Sequence, residues 1–215
     1  MRYRLTLTID TPDGPKSGSG VIEVSAIHND GLFRGLGAGR GSSTACRGEA
    51  IAIDLGERGW LFVMLTPDIA RHDDVSRRQS LNAAALLLAA FRSQIPSQEW
   101  RYDKIYRLLA QQQAKGDVPV MELPLLVRFR DGADPLSAER VDPANLAEAF
   151  GTGYGLRNAR IELTNDAVTW SLAKRFAWVP GIKGTLGVSR GLDYDSLGYT
   201  HILNQITDGS LREGA

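Results

Sequence analysis

The residues of this chain that could do chemistry are three histidines, one cysteine and a segment dense in glycine and arginine. That segment, "FRGLGAGRGSS" at residues 33–43, holds four glycines and two arginines in eleven positions, a composition shared with phosphate-cradling loops. A Walker loop, however, needs Gly-x-x-x-x-Gly-Lys followed by Ser or Thr, leading from a strand into a helix. Here Gly35, Gly37, Gly39 and Gly41 alternate, no lysine follows, and the next element reads as a strand. The dinucleotide pattern Gly-x-Gly-x-x-Gly fails as well, because Ser42 stands where the third glycine is required. Without a helix N-terminus no aligned N–H groups meet a phosphate. The segment reads as a loop, and its Phe33, Arg34, Leu36 and Arg40 set apolar groups beside guanidinium, a composition suited to contact with a protein partner.

His72 precedes Asp73 and Asp74, which invites a metal or acid–base reading. A metal-holding His-Asp doublet belongs on a helix among further histidines, so a solvated turn is the plainer account. A hydrolase assembled from dispersed residues would use His72 or His201 as base, with Asp73 or Asp195 in support. Cys46 has neither a helix N-terminus nor a histidine nearby to lower its pKa, so it reads as a structural thiol. Asp193 and Asp195 lack the third acidic ligand and the glycine spacing of a calcium loop. No Gly-x-Ser-x-Gly elbow and no His-Glu-x-x-His occurs. No metal or cofactor is expected. Trp100, Trp170, Phe176 and Trp178 read as core side chains rather than a base-stacking platform.

Twenty-five basic and 25 acidic residues balance to a formal net charge of zero. No global field then attracts a phosphate backbone, which disfavours nucleic acid as a partner. Arg34, Arg40, Arg157 and Arg160 are the residues that would serve such a role if they met in space. The longest apolar run, Ala83–Phe91, is nine residues against the roughly 20 a membrane span needs. With a single cysteine and no apolar leader behind "MRYRLTLTID", a cytoplasmic protein is expected, or a periplasmic one if a leader has been removed.

The elements that must position these residues are legible from their periods. Tyr3, Leu5, Leu7 and Ile9 alternate with polar residues as a half-wet strand. "TPDGPKSGSG" reads as turn chemistry before a returning strand "VIEVSAI", and Gly56–Gly59 joins two apolar runs as a hairpin. Ser76 with Gln79 forms a capping-box pattern, Pro96 halts that helix, and Ser97 can cap a second one whose Tyr102, Ile105 and Leu109 share a face up to Gly116. Strands resume at "LPLLVRFRD"; Asp142, Pro143 and Gly151 start and stop a short helix, and "LRNARIELTND" alternates again. "SLAKRFAWV" reads as a further short helix, and Ile202, Leu203 and Ile206 lie at helical spacing in a glycine-rich tail. The expectation is one α+β domain over 1–215: mainly antiparallel sheet, a helical pair inserted at about 76–115, a short helix before a late strand, and an irregular tail from about 180.

The strings "RGEAIAIDLGERGWLFVML", "DPLSAERVDPANLAEAFG" and "IELTNDAVTWSLAKRFAWV", with the N-terminal "RLTLTIDTPDGPKSGSGVIEV" and the closing "HILNQITDGSLREG", resemble a family of small proteobacterial proteins to which no activity is assigned. The resemblance covers most of the chain outside the helical middle and residues of about 180–198. It implies no cofactor and no catalytic residue, and it implies that the position of Cys46 is not reserved for cysteine. The sequence thus favours a non-catalytic binding or protein-interaction protein, with the dispersed His/Asp hydrolase as the alternative.

Overall fold

A computed structural model describes residues 1–29, 41–68, 70, 83–99, 101–197 and 201–214. The architecture is α+β, built on two antiparallel sheets. The strands are β1 (Arg2–Asp10), β2 (Lys16–Asn29), β3 (Gly41–Glu49), β4 (Ile51–Asp54), β5 (Trp60–Val63), β6 (Lys115–Asp117), β7 (Leu126–Phe129), β8 (Ala138–Val141), β9 (Gly155–Leu163) and β10 (Arg212–Glu213). The first sheet runs β10-β3-β2-β1-β9-β6 and the second β4-β5-β7-β8. The helices are α1 (Ala83–Ala90), α2 (Tyr102–Gln111), α3 (Leu146–Phe150), α4 (Leu172–Arg175), α5 (Leu186–Ser189), α6 (Tyr194–Leu197), α7 (Ile202–Gln205) and α8 (Asp208–Leu211).

In β1 the side chains of Tyr3, Leu5, Leu7 and Ile9 are buried and the residues between them face water, as period two requires. The turn after β1 is shorter than "TPDGPKSGSG" suggests, since β2 already begins at Lys16. Gly18 lies opposite Leu7 and Gly20 opposite Leu5, so both glycines face the core. A Cβ on Gly18 would sit 2.6 Å from Ile53 Cγ1, and one on Gly20 would sit 3.0 Å from Ile51 Cγ1. The missing side chains let β4 lie against β2 and bring the second sheet onto the first.

The second sheet is buried on both faces. Leu61, Val63 and Leu126 join the core formed with the first sheet, α1 and α2. Phe62, Val127 and Phe129 point the other way, into a second core closed by Leu172, Phe176, Trp178, Leu186, Leu203, Ile206 and Leu211. Near-continuous apolar runs such as "WLFVML" are what a doubly covered sheet demands. The tail expected to be irregular therefore carries α5 to α8 and supplies one wall of a core.

Other differences are local. The described helices of the middle segment span 83–90 and 102–111, and residues 115–117 are strand rather than helix end. Arg101, not Ser97, stands at the N-cap of α2. Asp142 Oδ1 accepts from Ala144 N in a turn, and α3 starts only after Asn145. Gly151, at φ 102°, ends α3 as expected. The capping-box pair Ser76 and Gln79 lies outside the described residues.

Candidate functional site

At the border of the second core, a cleft of about 680 Å³ opens between the hairpin of the second sheet, the 131–133 loop and the C-terminal helices. Its floor is aromatic. Trp60 meets Phe176 edge-on, with ring centroids 5.0 Å apart at 88°, and Trp178 lies 5.0 Å from Phe129, tilted by 40°. Phe62 sits beneath them, 4.9 Å from Phe176 and 6.3 Å from Trp178. Rings locked in this way offer a rigid apolar surface at little entropic cost.

One wall is the loop after β7. Trp178 Nε1 donates to Gly132 O at 2.8 Å, tying the loop to the aromatic floor. A Cβ on Gly132 would lie 3.0 Å from Trp60 Cδ1 and Nε1, so glycine lets the backbone rest on the indole. Asp131 Oδ1 accepts from Ala133 N, Asp134 Oδ1 accepts from Leu136 N, and Ser137 Oγ bonds Asp131 O and Asp134 O. Turns of this kind fix the loop from within.

The opposite wall carries Arg175, the last residue of α4, and Arg190, which follows α5. Both are exposed. Among the described residues neither guanidinium has an ion-pair or hydrogen-bond partner. Other arginines are engaged, Arg4 with Asp166, Arg107 with Asp103, Arg130 with Glu139 and Arg140 with the buried Asp68, while the exposed Arg58 and Arg92 are also without an ion pair among the described residues. Two guanidiniums on the lining of a cleft that also holds indole rings can grip an anion while the rings take up an apolar body.

A second cleft, of about 550 Å³, surrounds Asp68 and Arg140 and includes Met121, Asp142 and Glu148. Its charges are satisfied internally: Asp68 pairs with Arg140, Asp142 accepts from Ala144 N, and Asn145 Nδ2 donates to Glu148.

Phe33, Arg34, Leu36 and Arg40 lie outside the described residues, as do His72, Asp73 and Trp100. The strand expected after the loop is present as β3, whose Gly41 pairs with Asn29. His201 is the N-cap of α7 and its Nδ1 accepts from Leu203 N at 3.3 Å, a helix-capping role. Asp195 is exposed on α6, while Asp193 caps that helix; bonds from the Ser196 hydroxyl and backbone N–H hold its carboxyl below the ordinary range. Among the described residues no group of three or more His, Cys, Asp or Glu could hold a metal ion.

Cys46 is half-buried; burial, with the carboxylate of Glu213 beside it, pushes its thiol up to about 12. Arg157 and Arg160 are occupied by Asp10 and Asp117. Arg157 also sits at the Asp10 end of β1, whereas the Asn29–Gly41 pair of β2 and β3 lies beyond the Arg2 end. Trp170 lies between Arg47 and Arg212, with guanidinium carbons 5.9 and 5.6 Å from its ring. Phe176 and Trp178 are core residues, as expected, yet their edges also floor the cleft.

Sequence reasoning missed Trp60, Arg175 and Arg190. They come from three elements with no shared spacing, and only their common place on the cleft lining marks them. Comparison with family models, with curated proteins and with solved structures yields no match.

Proposed function

We propose that the protein is a binding protein whose site is the arginine–tryptophan cleft, and that it takes an anionic group carried on an apolar body. The observation behind this reading is the pair of guanidiniums, Arg175 and Arg190, that line an aromatic cleft and form no salt bridge among the described residues, with Asp131 the one acid on the same lining. Arginines held in no ion pair remain available to a carboxylate or phosphate, which a guanidinium can bind through paired N–H groups. Asp131, the acid on the rim, has its Oδ1 engaged by Ala133 N.

Phenyl phosphate and benzoate are simple probes. Trp60 and Trp178 border the cleft, so occupancy changes indole fluorescence. The expected result is a saturable change, weakened about tenfold or more in Arg175→Gln and Arg190→Gln, with the melting temperature unaltered. Absence of saturation below about 10 mM for both probes, or equal affinity in both variants, would refute the reading.

A further inference from the structure

We infer that the outer edge of β2 at Ser17 and Ser19 is a slot for an extended segment of a partner polypeptide, which adds there as a further strand. The register reveals the slot. Across the β1–β2 ladder Met1 N donates to Val24 O at 2.9 Å and Val24 N donates to Met1 O at 2.8 Å. Val21, three residues earlier, turns its backbone the other way: its N–H donates to Thr169 Oγ1 at 2.9 Å and its C=O accepts from Thr169 N at 3.2 Å. Backbone groups alternate in direction along a strand, so those of Ser19 and Ser17 also point away from β1. On that side β3 pairs with β2 only from Glu23, opposite Arg47, and the chain then turns off into β4. Among the described residues the N–H and C=O groups of Ser17 and Ser19 have no partner, and both residues are exposed. An interior strand of the sheet thus has a gap beside it.

A groove of about 330 Å³ lies along that gap, lined by residues 17–20 of β2, by residues 49–52, and by Thr169, Ser171 and Arg175. A donor and an acceptor facing outward at every second residue, about 7 Å apart, are one half of a β ladder, and an extended main chain supplies the other half. Strand edges that stay unpaired carry charge, proline or a bulge. Ser17, Gly18 and Ser19 carry none of these; Pro15 and Lys16 close the slot at one end and Thr169 at the other. A second copy pairing edge to edge about Gly18 would set its Pro15 opposite Val21, where Thr169 already sits, so a lone segment fits better than a folded neighbour. Glu49 and Arg175 are the charged residues on the lining. Glu49 is buried, and its carboxylate accepts from Ser171 N, Ser171 Oγ and Leu172 N, which fixes one wall. Arg175 also lines the arginine–tryptophan cleft, but the open ladder groups need no charge, so this recognition runs through the main chain and is independent of the anion site.

The isotope-labelled full chain is titrated with a capped, uncharged heptapeptide alternating Thr and Val, and with the same peptide N-methylated at every inner residue. Amide shifts and hydrogen exchange are read residue by residue, and phenyl phosphate is titrated in parallel. In the free chain the Ser17 and Ser19 amides should exchange at least about a hundredfold faster than those of Gly18 and Gly20, which face β1. The plain peptide should give shifts at Ser17 and Ser19 that saturate below about 10 mM and should protect both amides, with the N-methylated peptide at least about tenfold weaker. Ser19→Pro removes an outward N–H and spares the β1 ladder, so it should abolish peptide binding and leave phenyl phosphate unchanged. The N-methyl comparison uses the unaltered chain and decides the matter even where proline disturbs the strand. Slow exchange at Ser17 and Ser19 in the free chain, no saturation below about 10 mM, or equal affinity for the N-methylated peptide would overturn the inference, and phenyl phosphate binding would still report separately on the anion site. Protection of the same amides that rises with protein concentration and needs no peptide would overturn it in favour of a second copy.

Discussion

Phe62→Ala is the substitution that most directly tests how the second sheet is held. Phe62 is fully buried, with Phe129 at 4.8 Å, Phe176 at 4.9 Å and Trp178 at 6.3 Å. Truncating a buried phenylalanine to alanine costs about 3–5 kcal/mol, through lost transfer energy and the cavity left behind. Aromatic pairs add about 0.5–1.5 kcal/mol each beyond burial, and three partners keep this site clear of the lower end, at about 4 kcal/mol. For a chain of this size each kcal/mol lowers the melting temperature by about 2–4 °C, so a fall of about 8–16 °C is expected. Phe62→Leu, which keeps most of the apolar volume, should cost about half as much. Far-UV circular dichroism and tryptophan fluorescence should report one shared transition, because the second sheet belongs to both cores. Two separated transitions would show that residues 172–214 dock as an independent unit. A fall below about 3 °C would refute the packing argument itself.

Gly59 has φ 90°, and a Cβ there would fall 2.3 Å from Phe129 O and 2.9 Å from Arg130 O, backbone atoms that cannot step aside. Gly59→Ala should therefore cost at least about 2 kcal/mol in urea unfolding, whereas Gly155→Ala, with open space around its Cβ, should stay within about 0.5 kcal/mol. With its thiol pushed up to about 12, Cys46 at pH 8 should react with iodoacetamide about a thousandfold more slowly in the folded protein than in urea. Because the folded form holds the proton more tightly, the contribution of this group to stability is complete below about pH 9 and declines as pH rises toward 12. Folded and unfolded labelling rates within tenfold of each other would contradict that burial.

The strands were the most legible part of the sequence, for a physical reason. β1 has one dry and one wet face, so Tyr3, Leu5, Leu7 and Ile9 announce themselves by alternation. Gly18 and Gly20 misled because glycine signals a turn and a close approach equally well; only the position of Ile51 and Ile53 across the sheet interface separates the two. Asp142 misled because an Asx turn and an N-cap use the same side-chain oxygen on nearby N–H groups. The tail looked irregular because its helices are four residues long, too short for a 3.6-residue period to establish itself. The cleft was illegible for a further reason: Trp60, Gly132, Arg175 and Arg190 meet only through tertiary packing. Phe176 and Trp178 were rightly read as core, and nothing local marks that a core ring also has an edge facing out.

The doubly buried second sheet also has a consequence for how the chain is made. Phe62 is synthesised about a hundred residues before Leu172, Phe176 and Trp178, which cover its face. At about 5–20 residues per second the ribosome takes roughly 5–20 s to deliver that cover. Throughout this interval β5, and later β7, can pair and pack against the first sheet while Phe62, Val127 and Phe129 remain open to water. The nascent chain thus presents a sticky aromatic face that only its final fifth can hide. A chain released before residue 172 would carry that face permanently, a substrate for chaperones or for aggregation.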